Sequence, residues 1–146
     1  MSDSIFAIAR SGLDVERQRM EVIAQNLANA STTRTASGAP YQPLRLVSGP
    51  RMASDSFASQ LNGAATQAPA GVQMYGVETV DVPPRLVYDP AHPHADAKGF
   101  VSYPGLDHAG EMALMVQTLR VYESNTVMFN AARSMYMRAL ELGNRS

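Results

Sequence analysis

Cysteine is absent from the 146 residues, which excludes disulfides, thiol catalysis and cysteine-ligated zinc. A charge excess is absent too. Lys and Arg number 12 against 13 Asp and Glu, a formal net charge of -1, so nothing favours a nucleic-acid surface. No run of about 18 apolar residues occurs, so no membrane-spanning helix is expected. The opening MSDSIFAIAR has no basic region ahead of an apolar one, and a cleaved secretory signal is not expected either. If the protein leaves the cytoplasm, it goes by another route. Neither G-x-x-x-x-G-K-S/T nor G-x-S-x-G is found, which leaves phosphate-loop and serine-hydrolase chemistry without a foothold. The length allows one compact domain, or two long helices with a smaller domain between them.

What is present is heptad order at both ends. In the stretch Glu111 to Gly143, Leu114, Val121, Met128, Met135 and Leu142 recur every seven residues, with Thr118, Asn125, Ala132 and Ala139 between them. Alternating steps of four and three make the seam of a coiled coil. With no proline or internal glycine, and with Gly143 placed as a C-cap, one helix of about 33 residues, about 50 Å long, is predicted. Met115, Tyr122, Phe129 and Tyr136 form a further apolar row about 100° round the helix, so burying one face leaves another in need of a partner. From about Ser4 to Ala30 a second helix is predicted, with Phe6, Leu13, Met20 and Leu27 in one row, flanked by Ala9, Glu16, Ile23 and Ala30. Ile8, Val15 and Val22 lie nearly opposite. The run Asn29 to Thr33 ends it, because these side chains compete for backbone hydrogen bonds. Two such helices most simply pair with each other, and each keeps a leftover apolar row for neighbouring molecules.

Between them the composition changes repeatedly. Tyr41 to Ser48 holds a short strand-like piece, Leu44, Leu46 and Val47, which Pro43 restricts to an edge or to a strand's start. About 49–71 is rich in Ala, Ser, Gln, Gly and Pro and reads as a mobile linker. Val72 to Val82, Arg85 to Tyr88 and Phe100 to Tyr103 read as short strands. The best place for chemistry is Asp89-Pro-Ala-His92-Pro-His94-Ala-Asp96, which offers two imidazoles and two carboxylates. Asp, His and Pro are also ordinary turn composition, and metal ligands usually come from separate elements. His108 has no recognisable nucleophile and carboxylate arrangement around it. No catalytic, cofactor-binding or metal-binding residue is therefore assigned.

The string SGLDVERQRMEVIAQNLANAST, centred on Asn26-Leu27-Ala28-Asn29-Ala30, resembles the signature shared by bacterial flagellar axial proteins of the rod, hook and hook-associated groups. RLVYDPAHPHADAKGFVSYP from Arg85 to Pro104, EM at Glu111, RVYESN from Arg120 to Asn125 and the ending AARSMYMRALELG are similar to proteins of the proximal rod. Two positions depart from that pattern: His94, where a larger apolar residue is usual, and Gly110, where a helix former is usual.

The resemblance implies a structural subunit, not an enzyme. Its terminal helices would form an inner coiled-coil layer of a hollow tube that transmits motor torque and leaves an export channel. The implied fold is mainly α. Residues 1–33 and 107–146 give paired helices, and 34–106 gives a small irregular β-rich region. The implied assembly interface comprises Phe6, Leu13, Met20, Ile23, Asn26, Leu27 and Asn29 on the first helix. On the second it comprises Leu114, Val121, Tyr122, Met128, Phe129, Met135 and Leu142. The implied partners are further copies, the rod proteins FlgB, FlgF, FlgG and FliE at the base, and the flagellar type III export apparatus. No cofactor, nucleic acid or direct membrane insertion is implied, and the expected place is the periplasm-spanning rod, reached without a cleaved signal. A cytoplasmic coiled-coil adaptor or type III export chaperone would share the helices but would leave the Arg85 to Pro104 string without a role.

Overall fold

The computed structural model describes residues 2–52 and 69–143. The elements run in the order α1 (Ser2–Ala28), β1 (Leu44–Met52), β2 (Pro69–Thr79), β3 (Arg85–Tyr88), β4 (Phe100–Tyr103) and α2 (His108–Gly143). The 27 residues of α1 and the 36 of α2 make rods of about 40 and about 54 Å at 1.5 Å per residue. Strands β1 and β2 pair in one two-stranded sheet, and β3 and β4 in another.

Local chemistry sets the element ends. At the end of α1 the Asn29 N–H is shared between the carbonyls of Gln25 and Asn26, at 3.1 and 3.2 Å. The Asn29 amide donates to Gln25 O, and Thr32 Oγ1 donates to Asn29 Oδ1. The side chains thus take over bonding that a further helical turn would supply. Asp107 stands at the N-cap of α2, and the Glu111 N–H donates to its carbonyl at 2.9 Å. At Gly110 a Cβ would lie 2.6 Å from Asp107 Oδ2, so a larger residue there would require the Asp107 side chain to turn away.

The chain divides into two compact units, one of Met1–Arg17, Ser48–Tyr75 and Leu119–Ser146, the other of Gln18–Val47 and Gly76–Thr118. In the first, the Phe6 ring meets Phe129 and Tyr136 edge-on at 5.5 and 6.0 Å, and Gly12 faces Asn125. Advancing along α1 therefore means retreating along α2, so the helix segments run antiparallel there. Gly71, at φ +113°, presses β2 onto α1: an added Cβ would sit 2.3 Å from Ser11 Oγ, which accepts the Val72 N–H.

The second unit holds most of the buried side chains: Ile23, Leu46 and Val101, the prolines Pro43 and Pro104, and the polar Asn26, Glu111 and Thr118. Antiparallel β3 and β4 pair Arg85 with Tyr103 through to Tyr88 with Phe100. Alternation turns Val101, at 0% exposure, inward, while Leu86 and Tyr88 face out. Complete burial of such a side chain contributes about 1.5–3 kcal/mol.

Two expectations change. Residues 49–52 and 69–71, read as linker ends, are strand. Gly49 explains this, since a Cβ there would lie 2.5 Å from the Tyr75 ring, whose hydroxyl donates to Pro50 O at 2.9 Å. The linker's remaining residues, 53–68, lie outside the described residues. On α2 the covered stripe passes through Glu111, Met115, Thr118, Tyr122, Asn125, Phe129 and Ala132, whereas Val121, Met128, Met135 and Leu142 are exposed. Phe129 turns inward because its ring carries more apolar area than a methionine and meets Phe6 edge-on. Of the residues read as the seam, Leu114, Thr118, Asn125 and Ala132 are covered at least in part, while Val121, Met128, Met135 and Leu142 face outward.

Candidate functional site

Two features stand out, one in each unit. In the first unit an apolar groove of about 580 Å³ has Ile5 and Ile8 of α1 on one wall, Met128 and Met135 of α2 on the other, and Gly71 and Val72 among its lining. On α2, Met128, Ala131, Ala132 and Met135 lie three or four apart and share one face, as do Ile5, Ile8, Ala9 and Gly12 on α1. Small residues at Ala9, Gly12, Ala131 and Ala132 leave the depth that the larger ones border. Met128 is 67% exposed and Leu142 71%, so this side of α2 presents a row of apolar groups at helical spacing.

In the second unit the interior is polar at its centre. Asn26, at 0% exposure, donates from Nδ2 to Leu44 O at 2.9 Å and to Glu111 Oε2 at 3.1 Å. Its Oδ1 accepts the Leu44 N–H at 2.8 Å and the Tyr41 hydroxyl at 3.0 Å. The Arg45 guanidinium pairs with Glu111 Oε1 and also donates to Leu44 O. Glu111 is 2% exposed, so its charge is held by a cation and an amide donor together. Burial, and then the Glu111 carboxylate, push the Tyr41 phenol above its ordinary value of 10.0.

The residues assigned to an interface from sequence divide between these environments. Val121, Met128, Met135 and Leu142 are exposed; Phe6, Leu13, Met20, Leu27, Leu114, Tyr122 and Phe129 are half-buried. Asn29 is half-buried and serves the end of α1. Ile23 and Asn26 are interior and present no surface to a partner. Sequence reasoning missed Tyr41, Arg45 and Glu111 as Asn26's partners. The available signal was an asparagine inside an otherwise apolar helical face, which demands hydrogen-bond partners from elsewhere.

Between β3 and β4 the polar groups serve the loop itself. His92 Nδ1 accepts the His94 N–H at 3.1 Å, and His94 Nδ1 bonds Thr33 Oγ1 at 2.8 Å. Asp96 Oδ1 accepts the N–H groups of Lys98 and Phe100. Gly99, at φ +81°, closes the turn by accepting the Asp89 N–H. Among the described residues no group of three or more His, Cys, Asp or Glu could hold a metal ion. Among them, too, no helix is long and apolar enough to cross a membrane.

Comparison with known proteins points one way. The family described as "Flagella basal body rod protein" matches residues 6–34, and "Flagellar basal body rod FlgEFG protein C-terminal" matches 97–142. The flagellar basal-body rod protein FlgC of Escherichia coli O6:H1 is 37% identical over 140 residues, covering 96% of each chain. Its namesake in Bacillus subtilis is 36% identical over 143 residues, covering 93% of this chain and 94% of its own. That of Borreliella burgdorferi is 34% identical over 145 residues, covering 92% and 93%.

Proposed function

Since this chain belongs to the FlgC family of flagellar basal-body rod proteins, we propose that it enters the rod by laying its exposed helical rows against helices of neighbouring subunits. It is a structural subunit of that rod and not an enzyme, and it assembles with other basal-body rod components. The observation that carries the packing proposal is the outward row Val121, Met128, Met135 and Leu142, bordering a groove already lined by Ile5 and Ile8. An exposed row at coiled-coil spacing fits heterologous contacts, which repeat into a tube and do not close on themselves.

On this reading α1 and α2 form the inner coiled-coil layer of a hollow proximal rod, and the β-rich region lies outside it. Torque passes from helix to helix around an open export channel. The neighbours are further copies together with FlgB, FlgF, FlgG and, at the base, FliE. The chain reaches the periplasm-spanning rod through the flagellar type III apparatus without cleavage.

Met128→Asp tests it. Because Met128 is mostly exposed in the single chain, the charge should leave that chain's own fold nearly unchanged. Against an apolar neighbour it should cost several kcal/mol. The variant is expected to be made and exported but absent from detergent-extracted basal bodies, whereas Glu123→Gln assembles normally. Normal rods carrying Met128→Asp, seen by electron microscopy, would remove this row from the interface.

A further inference from the structure

An asparagine amide has two N–H donors and two acceptor lone pairs on its oxygen. At Asn26 all four are engaged by groups of the same chain: Leu44 O and Glu111 Oε2 take the donors, and the Leu44 N–H and Tyr41 hydroxyl fill the oxygen. Nothing of the side chain is exposed. The bonds join three separate pieces of sequence, the last turns of α1, the start of β1 and the first turn of α2, within one unit. Leu44 is gripped on both its N–H and its carbonyl, as a neighbouring strand would grip it, so Asn26 stands in for a ladder partner at the point where β1 begins.

We propose that Asn26, at the centre of the axial signature, is a positioning residue for assembly: an internal latch, with Glu111 as its catch, that fixes where β1 departs from the helix ends. It is not a mark read by the export apparatus or by an adjacent subunit. The inference rests on the rod function. Substitution by Ala would take the acceptor from the Tyr41 hydroxyl and the Leu44 N–H, and would leave Glu111 and the Leu44 carbonyl to Arg45. Substitution by Asp keeps the shape but removes both donors and sets a second carboxylate against Glu111. Arg45 then faces the pair as a cation, with the Tyr41 phenol beside it.

The test is complementation of a strain lacking this chain. Asn26→Asp is expected to be exported yet to abolish swimming and leave basal bodies without a completed rod. Adding Glu111→Gln returns a donor opposite the new carboxylate and is expected to restore swimming. In the purified chain, the gap in melting temperature between wild type and Asn26→Asp should narrow from about pH 7 to about pH 5, where protonating one carboxyl restores a donor. Full-length Asn26→Asp retained in the cytoplasm, wild-type swimming by it, a double variant no better than the single one, or a gap indifferent to pH would each overturn the latch. If the wild-type chain were itself missing from purified basal bodies, the rod function would fail instead, and that is a separate observation.

Discussion

Tyr41 holds its place as a neutral phenol, donating to Asn26 Oδ1 beside the Glu111 carboxylate. Its folded value lies above 10.0, so the stability it contributes is present at neutral pH and is lost as pH rises through that raised value. Wild type should exceed Tyr41→Phe by about 1 kcal/mol near neutrality, the usual worth of one hydrogen bond. The difference should shrink as urea melts are repeated from about pH 8 to about pH 11. His92 and His94 carry a different expectation. Their ring bonds lie on an exposed loop, so changing both to Gln should cost about 1 kcal/mol or less and leave rod assembly intact. Dialysed protein is expected to hold no stoichiometric zinc by atomic absorption, and assembly rescued by added zinc would contradict this. At this scale the sequence was legible at Phe6, where periodicity speaks, and opaque at Asn26. Its four partners come from residues 41, 44 and 111, and nothing local in the signature announces that they meet.

Although α2 begins at His108, ahead of the expected Glu111, two other boundaries followed from ordinary signals: Pro43 immediately before β1 and Asn29 after α1. The rotational phase of α2 did not. Seven-residue spacing marks several parallel rows on one helix, and choosing the inward one depends on what the partner offers, here Phe6 edge-on to Phe129. The choice has a measurable consequence. Phe129→Ala should destabilise the isolated chain by about 2–3 kcal/mol, somewhat less than full burial would cost. Met128→Ala, one position earlier, should change it by about 0.5 kcal/mol or less, as surface substitutions do. Equal losses in chemical denaturation would mean that the aromatic row is not the internal one. The strand ends at 49–52 and 69–71 escaped notice because Gly and Pro usually interrupt strands. Gly49 is tolerated only because the Tyr75 ring lies where a side chain would be.

Across the molecule, burial and exposure are unevenly shared. Apart from Val15, the described buried side chains belong to the unit of Gln18–Val47 and Gly76–Thr118, while the long exposed row of α2 belongs to the other. Helices draw most of their stability from packing. In the free chain, amides of residues 18–47 and 76–118 should therefore outlast those of 5–17 and 119–143 in hydrogen exchange, and uniform protection would count against a partner-dependent row. The mainly helical character with a small β region was legible from composition and heptads, whereas the division into units was not, because each helix contributes to both. The exposed methionines bring a further liability. A thioether open to solvent is converted by peroxide to a sulfoxide, a polar group where Met128 and Met135 now offer a soft apolar one. Subunits still awaiting incorporation would be disabled by such oxidation, while those already built in, with the row covered as proposed, would be shielded. Oxidative stress would then stop new flagella from forming and spare the ones already turning.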